Sequence, residues 1–360
     1  EIYTLSLHDA LPISHDGILR CYDRLAPVPA ARGESASGLR TGIRHSSAGV
    51  HTPPFNGCSD VPAIEPKQRG ETIEGYKILS ELGRGAASII YVVQDVKTKQ
   101  VWALKHVERG DAKDSRFLDQ AEGEYKIASE LNHPTIRQIT KMFKKGSLLQ
   151  TKELYLVMEL VDGVSLDKAP PKNFEQAVDI FRQVADGMHH MHKKGFVHAD
   201  MKPNNIVVAD GGQAKIIDLG QGCKIGTVKP RIQGTPDYIA PEQVHRRPIT
   251  PKTDVYNLGA TMYWVFTRQH IPTALAKGDS LVNSLDDSFI QRPKPVSELN
   301  PRVHPKLNDL IMSCVEVDAD KRPESMALVS DRLSLIYGIL RAKAEDVVKS
   351  MDVSERSESE

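Results

Sequence analysis

The sequence predicts an α+β fold in which a β-rich region precedes a mainly helical one. Three observations carry that expectation. Short runs rich in β-branched and aromatic residues, YKILSELGRG, SIIYVVQDV and VWALKHV, are separated by Gly-containing or KTKQ turns, the pattern of an antiparallel meander. Over 114–131 the apolar residues Phe117, Leu118, Ala121, Tyr125 and Ala128 recur at helical spacing. Past Gly163 the periodicity is helical in one long segment after another.

Taken in order, the elements begin late. Residues 1–14 resemble, codon by codon through Ile13, the conceptual translation of a short-read sequencing adapter and are expected to be foreign to the protein. Residues 15–70, rich in Ala, Pro, Arg, Gly and Ser, show no sustained period. They are expected to be a disordered leader or non-native translation, because they bury too little apolar surface to offset the entropy of ordering. The predicted domain covers 71–341, with a smaller first part to about 160. After three strands and the helix come two strand-like runs, around 136–143 and at ELYLVME. The helices FEQAVDIFRQVADGMHHMHKKG, TDVYNLGATMYWVFTRQ, PKLNDLIMSCVEV and PESMALVSDRLSLIYGIL follow. Residues 342–360, ending SERSESE, are polar and expected to fray.

Bulk composition excludes several classes of partner. In 360 residues, 47 Lys and Arg balance 47 Asp and Glu, so no net field favours nucleic acid or a membrane surface. Cys21, Cys58, Cys223 and Cys314 form no CxxC pair, which fits reduced thiols better than a disulfide framework or zinc site. No apolar run reaches the about 18 residues of a membrane span. A cytoplasmic protein is expected, with no sensor domain or membrane anchor after the domain, and nothing in the sequence specifies an oligomeric state.

Local motifs therefore carry the functional reading. LGRGAASIIYVV places Gly83 and Gly85 on the first hairpin, where missing side chains let backbone amides approach a phosphate. Lys105, in WALK on the third strand, could neutralise phosphates and needs a carboxylate to fix it; Glu124 on the helix can supply one, while Glu122 points elsewhere around the wheel. HADMKPNN gathers Asp200, Lys202 and Asn205 in one loop: a carboxylate, an ammonium and an amide oxygen within six residues. AKIIDLGQG sets Asp218 at the end of an apolar strand, a carboxylate suited to Mg2+.

With GTPDYIAPE and TDVYNLG added, the order and spacing of these motifs over residues 76–341 resemble the protein kinase family, in its bacterial serine/threonine form. The resemblance implies a bilobal protein-kinase fold: a small antiparallel sheet lobe with helix C, and a larger, mainly helical lobe. It implies ATP-dependent phosphoryl transfer to protein Ser or Thr hydroxyls with Mg2+, Mn2+ being an alternative. ATP contacts are implied at Gly83, Arg84, Gly85, Ser88, Ile90, Ala103, Lys105, Glu124, Glu159, Val161 and Val207, with Met158 opening the hinge. Asp200 and Lys202 take catalytic roles, and Asn205 and Asp218 take the metal. His198 and Leu219 pack behind the loop, Thr235 sits beside Asp200, and Glu242 pairs with Arg322. Asp254 reaches the backbone of the catalytic loop, and Thr227 is the autophosphorylation candidate.

Departures from the family pattern are informative. Ala199 replaces the arginine of HRD, and Leu219 the phenylalanine of DFG. Every charged catalytic group remains, so an active enzyme is expected, with little dependence on activation-segment phosphorylation. A nucleotide-binding scaffold and a small-molecule phosphotransferase are the rival readings. Asn204 stands where many basic-directed relatives carry Glu, which implies no strong preference for arginine before the acceptor. Ala128 is small for the regulatory stack with Ile139, His198 and Leu219, implying a loosened helix C. His189, His190 and His192 end a helix and are not expected to bind metal, and Cys223 is expected to be a passive thiol.

Overall fold

The computed structural model describes residues 64–85, 87–109, 115–147, 150–272 and 290–357. The expectations for residues 1–14 and for most of 15–70 lie outside them. Six strands form one antiparallel sheet: β1 (Thr72–Ile73), β2 (Tyr76–Gly85), β3 (Ser88–Asp95), β4 (Val101–Glu108), β5 (Ile139–Ser147) and β6 (Gln150–Met158). Their spatial order is β1-β2-β3-β4-β6-β5. One helix, α1 (Arg116–Ala128), crosses between β4 and β5 and packs its buried side, Leu118, Ala121, Glu124, Ile127 and Ala128, on the sheet.

Two boundaries differ from the sequence reading. The helix stops three residues short of Leu131, because Ser129 turns out of it with its hydroxyl on the Lys126 carbonyl, and Asn132-His133-Pro134 cannot continue it. Ile136 does not open β5; it bridges in parallel to Ile216 in the other lobe.

The outer face of the sheet is apolar too. Ile73, Tyr76, Ile78, Tyr91, Leu104, Tyr155 and Val157 cluster there, and Ile64 packs against them. The Lys67 amide donates to the Tyr91 hydroxyl at 2.9 Å. Residues 64–70 are thus part of the folded unit, which begins before Glu71; a lone isoleucine among polar neighbours gives no periodic signal of such a role.

The second lobe contains β7 (Val164–Ser165), α2 (Phe174–Lys193), β8 (Phe196–Val197), β9 (Ile206–Val208), β10 (Ala214–Ile216) and β11 (Cys223–Lys224). It continues through α3 (Pro241–Val244), α4 (Pro251–Thr267), α5 (Val296–Leu299), α6 (Pro305–Cys314) and α7 (Met326–Ser357). Asn173 caps α2 by accepting from the Gln176 amide. Along α2 the residues Ala177, Val178, Ile180, Phe181, Val184, Met188 and Met191 face the core. α4 is buried nearly all round, and a side chain at Gly259 would meet Cys314 Cβ at 2.5 Å, so glycine is what allows α4 and α6 to touch. α7 runs through the stretch that the sequence suggested would fray, as far as Ser357; after Gly338 no Gly or Pro interrupts it. A single apolar core joins the inner face of the sheet, α1 and the helical lobe. The lobes meet beside the chain that follows β6, where Ile136 bridges to Ile216 and Glu159 pairs with Lys215, and the cleft lies between them.

Candidate active site

Strand alternation sends Lys105 of β4 inward, and helical phase sends Glu124 of α1 to meet it. Lys105 Nζ donates to Glu124 Oε2 at 2.6 Å with both groups buried. Helix α1 is therefore seated inward in this structure, with Ala128 buried in the core. Its neighbour Ile127 lies 3.0 Å from where a Gly222 side chain would be, so the helix rests directly on the activation segment. Ala128, Ile139 and Leu219 share the one core cluster, and His198 is buried. Glu122 turns to solvent and pairs with Lys144 and Lys126.

Gly83 and Gly85 close the β2–β3 hairpin, with Gly85 opposite Ser88 and Gly83 opposite Ile90. The Arg84 guanidinium is held by Glu81 at 2.7 and 2.8 Å on the exposed side, which leaves only the backbone of residue 84 to meet a nucleotide. Ala103 faces Met158 across β4 and β6, and Val207 lies on β9 below. Glu159 and Val161 follow in the hinge. Glu159 pairs with Lys215 at 2.7 Å, so its side chain braces the hinge to the lower lobe.

The loop between β8 and β9 is organised around Asp254. Buried in α4, its carboxylate accepts from the His198 amide at 2.9 Å, the Ala199 amide at 2.8 Å and His192 Nε2 at 2.7 Å. Burial alone pushes this carboxyl up; His192, His198 and the amide outweigh it, and the group lies below the usual carboxylate range. Ala199 adopts a left-handed backbone at φ 60°, a conformation costly for a residue with a Cβ. It is held there from both ends, by Asp254 on its N–H and by Gln243 Nε2 on its carbonyl at 2.8 Å.

Asp200 is aimed by three contacts. Its Oδ1 accepts from the Thr235 amide at 2.9 Å and the Thr235 hydroxyl at 2.8 Å, and its Oδ2 lies 3.1 Å from Lys202 Nζ. Lys202 Nζ also donates to Thr235 Oγ1 at 2.8 Å. Asn205 Nδ2 is spent on the Asp200 carbonyl, which leaves its buried Oδ1 without a hydrogen-bond partner. The Ile217 amide bonds the Asn205 carbonyl, placing Asp218 at the next residue, where its Oδ1 accepts from the Gly220 amide. An orphaned amide oxygen beside a carboxylate is a hard-oxygen donor set that fits a divalent cation such as Mg2+. Among the described residues no group of three or more His, Cys, Asp and Glu is placed to hold a metal. Of the histidines near the end of α2, His192 turns to Asp254 and His190 accepts from the Asn132 amide.

No arginine stands at 199, and its space is apolar. Val197, Ala199 and Ile249 form a small buried cluster with Cys223 against it. Burial pushes the Cys223 thiol up, as expected of a passive cysteine. Backbone pairs dock the segment here: β11 on β8, Ile225 N–H on the Gly195 carbonyl, and Gly226 and Thr227 with Ile249. Thr227 Oγ1 donates to the Lys224 carbonyl at 2.7 Å. Glu242 and Arg322 form a bidentate pair at 2.8 and 3.0 Å, the partnership expected.

Three residues escaped the sequence reading. Gln243 links Ala199, Gln233, Ala240 and Asn257, tying catalytic loop, activation segment and α4 together. Lys229 donates to the Gln221 carbonyl, and its charge faces Asp200 from the activation segment. Arg137 lies 3.9 Å from Glu124 Oε1 with a side chain only 12 % exposed, and Asp218 and Glu159 also face it. Burial lowers its pKa from the usual guanidinium value. Arg137 follows an apolar residue before a strand, so its pattern resembles any strand-edge cation.

A curled antiparallel sheet over a helical lobe, with a Lys–Glu pair above the cleft and an Asp–Lys–Asn loop below it, defines the two-lobed class of nucleotide-cleft proteins. The family model described as protein kinase domain matches residues 76–333, and the chain belongs to that family. It is 28 % identical to the serine/threonine-protein kinase PrkC of Bacillus subtilis, over 71 % of this chain and 40 % of that protein. It is 27 % identical to the serine/threonine-protein kinase pkn2 of Myxococcus xanthus, over 74 % of this chain and 33 % of that protein. The PknB kinase of Mycolicibacterium smegmatis is 26 % identical over 78 % of this chain and 45 % of that protein. The chain thus spans less than half the length of these curated relatives. None of its described helices is long and apolar enough to cross a membrane.

Proposed function

We propose that the chain is an ATP-dependent protein serine/threonine kinase. The observation that carries this is Asp200, buried in the cleft and aimed by Thr235 and Lys202. In the proposed reaction the acceptor hydroxyl oxygen forms a bond to the γ-phosphorus as the bond to the β–γ bridging oxygen breaks. ADP leaves, and the hydroxyl proton passes to Asp200. Lys202 balances charge on the moving group from the acceptor side, and Lys105, fixed by Glu124, does so from the nucleotide side. Asn205 and Asp218 would hold Mg2+, with Mn2+ an alternative. Bound there, the cation would neutralise phosphate charge.

The Thr235–Lys202 contact and the names of the relatives favour Ser and Thr acceptors over Tyr. Cys223 and Cys314 are free thiols, consistent with a reducing cytoplasm. The test is transfer from γ-labelled ATP to a broad protein substrate by the wild type, Asp200→Ala and Asp218→Ala. Transfer should fall at least about 10²-fold in Asp200→Ala. Nucleotide binding with no transfer by the wild type would mean a scaffold, and transfer to an aminoglycoside alone a small-molecule enzyme.

A further inference from the structure

The chain as a whole is electrically balanced, but the surface beside the acceptor site is not. From Leu219 to Pro236 the sequence contains Lys224, Lys229 and Arg231 and no Asp or Glu. The next turn adds Arg246, whose Nη1 donates to the Pro230 carbonyl at 3.5 Å and so stands beside Arg231. Lys224, Arg231 and Arg246 are exposed, and none forms an ion pair with a carboxylate among the described residues. Of the acids nearby, Glu242 is engaged by Arg322 and Asp200 by Lys202; Asp237 is exposed and lies 3.8 Å from His270, which offsets its charge only when protonated.

Position gives this charge a use. Thr235 is bonded to Asp200, and the four residues from Arg231 to Thr235 span at most about 14 Å. Arg231 thus stands within reach of the residues that flank a bound acceptor, and it meets them at contact rather than across a screening length of about 8 Å. Like charges held together this way repel one another, as the lowering of the Lys229 pKa first by burial and further by Arg231 indicates. Asp200 offsets part of it at Lys229, but Arg231 and Arg246 have no carboxylate partner among the described residues, and an anionic segment laid along them would supply one.

Resting on the kinase reading, we infer that this basic face selects acceptor segments whose Ser or Thr is flanked by Asp and Glu. Arg231 and Arg246 attract and orient the acidic flank while Asp200 and Lys202 engage the hydroxyl. Asn204, whose amide is held on Asp167 at 3.0 Å, presents no carboxylate of its own to a basic flank.

The test uses the full chain with three peptides sharing one Ser or Thr and differing only in flanks: Asp/Glu, Asn/Gln or Lys/Arg. At low salt the acidic peptide should have a kcat/KM about tenfold above the neutral one, through KM, with the advantage shrinking as salt rises. Arg231→Ala and Arg246→Ala should each reduce that advantage several-fold while leaving the neutral peptide's rate and the KM for ATP unchanged. Arg231→Glu should shift the preference toward the basic peptide. The preference should persist in Thr227→Ala; its dependence on a phosphate at Thr227 would show that the face serves the chain's own segment and would overturn the inference. Equal use of all three peptides, with transfer still dependent on Asp200, would overturn this inference alone. Absence of any Asp200-dependent transfer would overturn the kinase reading and this inference with it.

Discussion

The two lobes each bury an ion pair, and the pairs are built on opposite plans. In the helical lobe Arg322 uses both Nη atoms on Glu242 and spends its other donors on the carbonyls of Glu316, Val317 and Lys252, with its plane over the Tyr256 ring. In the sheet lobe Glu124 has one strong bond, from Lys105; its Oε1 has no hydrogen-bond partner, and Arg137 stands 3.9 Å away. The fully satisfied pair is a fixed joint for the activation segment. The other has a spare cation, so Lys105 can turn part of its charge to phosphates without leaving Glu124 a lone buried anion.

That difference has measurable consequences. Arg322→Ala strands Glu242 and should cost about 3–5 kcal/mol of stability in urea unfolding. Lys105→Met should slow transfer by about 10²–10³-fold, near 3–4 kcal/mol at the transition state. Its loss of stability should be well below that of Arg322→Ala, because Arg137 still neutralises Glu124; equal losses would break the comparison.

Acid should separate the lobes as well. His106, stacked on Tyr155 in the sheet, is held down to about 4, first by burial against the pull of Glu153. A folded pKa below the unfolded 6.5 means the unfolded chain binds the proton first, so stability falls as pH drops from about 6.5 to about 4. The loss is on the order of 2–3 kcal/mol, and His106→Phe should flatten it. Asp254 in the helical lobe also lies low, so its contribution is full above its unfolded pKa near 3.8 and fades only as pH falls below that. Smallest of all, a double-mutant cycle of Lys105→Met with Arg137→Met should show a coupling of about 1 kcal/mol, the second change costing more once the first is made.

Much of the site was legible because its residues sit at fixed places on regular elements. Lys105, Glu124, Asp200, Asn205 and Asp218 were nominated by motifs whose order and spacing resemble the protein kinase family, and the structure brings them together around one cleft. Less legible were joints made by polar side chains across long sequence distances. Gln243 reaches Ala199 44 residues away, and neither its spacing nor its type marks it. Arg137 and Lys229 were hidden for the same reason, since a buried cation and a solvated one look alike in sequence. The first strap of the domain, 64–70, lacked periodicity because it lies over the sheet and bonds it by backbone only at its end, through the Gly70 amide on the Ile78 carbonyl.

In the proposed kinase the activation segment is held by backbone bonds and the Val197–Ala199–Ile249 cluster, and transfer needs no phosphate on it. The decisive measurement is the initial rate of γ-phosphoryl transfer from phosphatase-treated protein, with Thr227→Ala alongside and Asp200→Ala as the blank. The predicted result is a full rate from the first turnovers, with Thr227→Ala within about twofold of wild type. A lag that prior phosphorylation removes, or a rate no higher than the blank, would contradict it.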